Sequence, residues 1–235
     1  MIVSLNEIAE TAKNASRGCG HYFGIAEEMA FAVRWLCERG LPGTEKLLHA
    51  LEQFEAVQYE ISDTVGELWI TGNGGKPVPA LTLAPSIAEL LVAHRRKTKI
   101  VKVRSLTHPL LLVPFLARAT DSDEAICAHF TTIDANSVMI NCAGGGAQIC
   151  ADDASALLTA RADQLTCRWG TGQTDLPMLC RPHQLRAQHE SAIHRGCDIS
   201  NAVWEKLLKF AHNTYVPSSE ASRLTGAGAG LTDND

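Results

Sequence analysis

What the chain lacks narrows its class before anything it contains. It has no long hydrophobic run. The longest apolar stretch, Pro109 to Ala117, is far short of the ~20 residues a membrane-spanning helix needs. No positive leader opens the chain, and Glu7 and Glu10 fall where the apolar core of a secretory signal would begin. The expected location is therefore the cytoplasm, and no membrane partner is expected. Positive charge is not in excess either: 21 Lys and Arg stand against 26 Asp and Glu, a net −5, which excludes phosphate-driven nucleic-acid binding. The eight cysteines form no C-x-x-C pair, so they read as small buried hydrophobes of a reducing compartment and not as a disulfide framework. There is no G-x-S-x-G turn, and neither glycine-rich loop carries the lysine of a phosphate-binding P-loop. No cofactor fingerprint is present, so no cofactor is assigned.

What remains is a globular chain of 235 residues, 46% hydrophobic and 20% charged, long enough for a sizeable core. We read it as one domain in three stretches, residues 1–56, 66–170 and 180–235. The first is helical. Ser4 and Glu7 form an S-x-x-E capping box ahead of Leu5, Ile8, Ala12 and Ala15 at helical spacing, with Gly18 as the stop. Ile25, Met29, Val33 and Leu36 mark a second helix ending at Gly40. Thr44 is placed to cap a third, with Leu47, Leu48, Leu51 and Phe54 as its apolar stripe. A DNA-binding helix–turn–helix is disfavoured because Glu27, Glu28, Glu38 and Glu45 would meet phosphates.

The middle stretch reads as an internal ββαβ repeat, giving an α/β (α+β) fold with a mixed sheet and the terminal helices packed on it. One unit comprises strand 68–71, the glycine loop Gly72–Gly75, strand 81–83, a helix from Ser86 to Arg96 and strand 99–104. The other comprises strand 138–142, the loop Gly144–Gly146, strand 147–151, a helix from Asp153 to Arg161 and strand 164–169. Between them, Leu110 to Val113 reads as a buried strand, and Pro114 opens a short helix. The last stretch holds a helix from Pro182 to His194, then one capped by Asp198 or Ser200.

Metal readings fail on spacing. His189 and His194 stand five apart, so on a helix the second ring turns ~140° from the first. Cys180, His183, His194 and Cys197 imitate a zinc ribbon, but a helix holds the two histidines ~16 Å apart, beyond one metal. Two places remain for a ligand. His108, just before Pro109, closes a predicted strand, and strand ends are where α/β proteins meet ligands. The tail from Val216 to Arg223 packs Ser219, Glu220, Ser222 and Arg223 together ahead of a glycine ladder, Gly226 to Gly230. The expected function is small-molecule binding in metabolism, as an enzyme or an enzyme's partner subunit. The alternative is an interaction protein whose tail docks into a partner.

Two resemblances add to this. Ser4–Ile8, Gly24–Glu28, Arg34–Leu36, His108–Phe115 and the Val216–Asp235 tail resemble blocks of a bacterial family of uncharacterised proteins, labelled only as a domain of unknown function. It brings no activity. Val3 to Leu51 is similar to the N-terminal helices of the type-2 malate/L-lactate dehydrogenases, which implies a second alternative, a diverged relative of that family. That family carries a histidine in an Asp-Ser-His-Gly stretch after its second helix. Leu41, Pro42, Gly43 and Thr44 stand there instead, so that histidine's role in hydride transfer does not carry over.

Overall fold

The computed structural model describes residues 1–95, 99–121 and 123–214. In chain order these form β1 (Ile2–Val3), α1 (Leu5–Gly18), α2 (Phe23–Cys37), α3 (Gly43–Glu52), β2 (Tyr59–Thr64), β3 (Glu67–Gly72), β4 (Val78–Pro79), α4 (Ala80–Ala93) and β5 (Ile100–Thr107). There follow α5 (Val113–Arg118), β6 (Ala125–Thr132), β7 (Ser137–Ala143), β8 (Gly146–Ala151), α6 (Ala154–Leu157), β9 (Arg161–Trp169), β10 (Met178–Cys180), α7 (Pro182–Arg195), β11 (Cys197–Asp198) and α8 (Asn201–His212).

The expected mixed α/β architecture is what forms. The large sheet runs β10-β8-β7-β6-β9-β5-β3-β2, and β1 pairs separately with β11. Its pairings are antiparallel except that β3 and then β4 lie parallel to β5 along the same edge. Residues alternate across it. Leu68, Ile70, Val101, Val103, Phe130, Ile140, Ile149 and Leu165 are buried, whereas Arg104 and Gln164 are exposed. One apolar face and one polar face is the usual state of an antiparallel sheet. Helices α4 and α5 cover the apolar face, contacting β5, β9, β7 and β8, and α1, α2, α3 and α8 form a helical layer around them. Among the described residues no helix is long and apolar enough to cross a membrane.

The N-terminal capping box forms as read: the Glu7 N–H donates to Ser4 Oγ at 3.2 Å, and the Ser4 N–H donates to Glu7 Oε2 at 3.0 Å. Elsewhere the structure corrects the reading. Residues 81–83 are helix, not strand, because Ala80, Ala84, Ile87, Ala88 and Leu91 carry one continuous buried stripe of period 3.6. Ser86 therefore lies inside α4 and caps nothing. Pro42, not Thr44, occupies the cap position of α3, and Thr44 is buried within the helix. Residues 109–112 form a 3-10 turn that leads into α5, and all four are buried.

These differences undo the repeat. β7 and β8 are hydrogen-bonded to one another as a hairpin, whereas β3 and β4 never pair with each other and only share β5. The second helix shrinks to the single turn of α6, which exposes Leu158. Strands β2 and β6 went unread because β2 is exposed throughout and β6 lacks a clean alternation. All eight cysteines are free, and six are buried.

One local feature matters below. Against β6, β9 carries an extra residue: Thr131 pairs with Gln164 but Thr132 pairs with Ala162. β5 keeps step with β9, pairing Arg104 with Gln164 and Leu106 with Ala162, so Ser105 lies opposite the extra residue Asp163. Ser105 adopts a left-handed conformation, φ 55°. The bulge thus crosses two strands and shifts the pleat, so that Ser105 and Leu106 are both buried.

Candidate functional site

Strand β5 ends at Thr107, and His108 turns the chain. Its backbone is left-handed (φ 48°, ψ 55°), uncommon for a residue with a side chain and a conformation that clusters at functional sites. Two backbone bonds hold it there: its N–H donates to Ala160 O at 2.8 Å, and its carbonyl accepts from the Leu111 N–H at 3.0 Å. The ring is 1% exposed, and neither nitrogen has a hydrogen-bond partner among the described residues. An unpaired buried polar group costs free energy, so such a ring calls for an explanation.

Helix α3 supplies the neighbours. Lys46, His49, Ala50 and Gln53, at i, i+3, i+4 and i+7, bring one helix face toward the end of β5. The His49 and His108 ring centroids are 6.5 Å apart. Lys46 is buried and its Nζ donates to the carbonyl of Leu158. Burial lowers the Lys46 pKa, and Glu45 opposes that. Burial also lowers the His108 pKa, and the Lys46 and His49 charges lower it further, to about 4. At neutral pH the ring is therefore uncharged, with one nitrogen as donor and the other as acceptor.

His108 and Thr107 line a cavity of about 140 Å³ together with Gln53, Phe54, Glu55 and Val57 from the end of α3, and Pro77, Pro79 and Leu81 around β4. The volume is far above the roughly 10–15 Å³ one water occupies. Mostly apolar walls with a few polar groups are the usual make-up of a small-molecule site. The acid in the wall, Glu55, is ion-paired with Lys76.

Of the sequence-predicted site residues, His108 lies where it was expected, at a strand end. Ser219, Glu220, Ser222 and Arg223 lie outside the described residues. Lys46, His49 and Gln53 were missed, because polar residues at i, i+3 and i+7 beside the Leu47, Leu48, Leu51 stripe read as the solvated face of the helix. The loop at Gly144 and Gly145 is a hairpin turn joining paired Ala143 and Gly146, with φ of 53° and 73°. The loop at 73–75 is not a hairpin but a 3-10 turn between β3 and β4. Among the described residues no group of three His, Cys, Asp or Glu side chains is arranged to hold a metal.

This fold is shared, in its architecture, with several dehydrogenases. The structure aligns with the sulfolactate dehydrogenase of Methanocaldococcus jannaschii at a TM-score of 0.63 and 9% identity, over 90% of this chain and 97% of that one. A dehydrogenase from Sinorhizobium meliloti gives 0.62 at 11% identity, over 90% and 99%. The malate dehydrogenase of Pyrococcus horikoshii OT3 gives 0.61 at 8%, over 90% and 94%. At such identities the likeness establishes the fold. By sequence, residues 3–78 match the family described as "Protein of unknown function (DUF3726)". No curated protein matches the chain.

Proposed function

We propose that this protein is a diverged relative of the malate/lactate-type dehydrogenases that binds a small hydroxy- or oxo-acid in the cavity at His108. The observation that carries the reading is the buried His108 ring with both nitrogens unpartnered, lining that cavity. A neutral imidazole donates to a carbonyl and accepts from a hydroxyl, which suits either oxidation level of such an acid. The Lys46 charge, which acts on His108, favours a carboxylate nearby. The fold shared with malate and sulfolactate dehydrogenases supports the same ligand class. The cavity volume suits a ligand of a few heavy atoms.

The test is thermal unfolding of the wild type and His108→Asn in the presence of malate, lactate, sulfolactate and their oxo counterparts. A ligand that binds only the folded state stabilises it by about 2.7 kcal/mol at a hundred times its Kd. At least one acid is expected to raise the wild-type Tm, with the rise lost in His108→Asn. No rise with any of these acids, or an equal rise in both proteins, would overturn the reading.

A further inference from the structure

The geometry points to a second ligand site, on the polar face of the sheet at the two-strand bulge, that binds the phosphoryl group of a small phosphorylated molecule. It stands apart from the His108 reading, and either can fail without the other.

The site is made by three irregularities that coincide. Strand β3 pairs with β5 only as far as Thr71 opposite Arg104, and β4 takes over from Val78 opposite Leu106. The edge of β5 changes partner at Ser105, which lies opposite Asp163, the extra residue of the bulge. The chain between β3 and β4 bows outward as the 3-10 turn, where Gly74 and Gly75 hold φ of 67° and 73° and a Cβ on either would meet only open space. The result is an opening of about 380 Å³ lined by Thr71, Gly75, Arg104, Ser105, Arg161, Asp163 and Gln164.

The bulge decides which side chains meet there. By shifting the pleat between Gln164 and Ala162, it keeps Ala162 in the core and leaves Arg161 on the same polar face as Arg104 and Gln164. Arg161 is oriented: its Nε donates to Ser105 Oγ at 2.7 Å. Among the described residues its two terminal amino groups have no hydrogen-bond partner. Arg104, its guanidinium carbon 5.4 Å from the Trp69 ring centroid, brings a second planar donor fork to the same opening. Thr71 and Gln164 add a hydroxyl and an amide.

Two forks and two neutral donors exceed what a single carboxylate accepts. They match a phosphoryl group, which offers three oxygens and takes bidentate arginine contacts. Left-handed Ser105 is then accounted for: a strained residue persists where the structure uses it, here to position Arg161. Asp163 is the acid of the lining, and its exposed side chain trims the positive field at the rim.

The test is isothermal titration of the full chain with inorganic phosphate at low ionic strength, with malonate in parallel as a carboxylate probe. Saturable phosphate binding at one site is expected, at least tenfold weaker in Arg161→Ala and in Arg104→Ala. Binding should be tighter in Asp163→Asn and unchanged in His108→Asn. Circular dichroism shows whether each variant folds; should Arg161→Ala fail to fold, the exposed Arg104→Ala decides. No saturable binding, or binding by the folded arginine variants equal to wild type, overturns the site. Malonate binding tighter than phosphate overturns the phosphoryl assignment. Loss of phosphate binding in His108→Asn overturns the separation of the two sites.

Discussion

The His49 and His108 rings face one another at 6.5 Å between centroids and 48° between planes, with Lys46 one helical turn below His49. Burial, with the Lys46 and His49 charges acting in the same direction, makes protonation of the imidazole unfavourable. The folded-state pKa of His108 is therefore about 4, against an unfolded value near 6.5. Because the folded pKa is depressed, the unfolded state binds the proton first as pH falls. The full stability is present above about pH 6.5 and is lost between 6.5 and 4, by roughly 3 kcal/mol at most. Urea unfolding of wild type and His108→Asn across this window should show the steeper acid loss in the wild type. Asparagine tolerates the left-handed backbone, so the comparison isolates the imidazole. Parallel curves would assign the acid sensitivity to carboxylates elsewhere.

Gly43 opens α3 against α2, and the close approach is absolute. A Cβ there would lie 2.6 Å from the carbonyl oxygen of Val33, which is backbone and cannot rotate away. Gly43→Ala is expected to cost about 1–3 kcal/mol, the range for overpacking, and to move Lys46 and His49 with the helix. Chemical denaturation measures the first effect. A change in Trp fluorescence or ligand affinity at unchanged pH reports the second.

The capping box at Ser4 offers a smaller, cleaner number. Ser4→Ala leaves the Glu7 N–H without its side-chain acceptor at an exposed helix start. The expected loss is about 1 kcal/mol, read from the urea midpoint at constant m-value.

Ala135 gives the opposite sign. It sits exposed in the turn between β6 and β7 at φ 63°, where a Cβ is strained. Ala135→Gly should therefore stabilise the protein by up to about 1 kcal/mol, visible as a rise in Tm. A fall would mean that the added freedom of glycine in the unfolded chain outweighs the relieved strain.

The helices were legible in the sequence wherever a cap or stop residue coincided with a 3.6-residue stripe, as in α1 and α2. Legibility failed where burial was two-sided. Residues 80–85 and 109–113 are so apolar that a short window suits a strand as well as a helix, and the helical stripe shows only when 80–85 are joined to the residues after Ser86. Strand β2 was invisible for the converse reason, since both its faces are exposed and nothing imposes alternation. In the site, His108 was legible because Pro109 marks the end of the strand. Lys46 was not, because a buried lysine inside a leucine-rich helix looks like its solvated face until Leu158 O is placed opposite. The bulge at Ser105 and Asp163 leaves no mark in the sequence, since both are residues ordinary strands accept. Its existence follows from how three strands fit together.

That β5 takes two successive partners on one edge gives the sheet a seam. Residues 73–77 span the seam without belonging to either ladder, so chain can be added or removed there without disturbing the register of β3 or β4 against β5. The length of this connection is an adjustable rim on the opening beneath it. Insertion there would change the size of the opening at Arg104 and Arg161, and with it the size of molecule the proposed site admits, while the core below stays fixed. Specificity at this face can therefore evolve faster than stability.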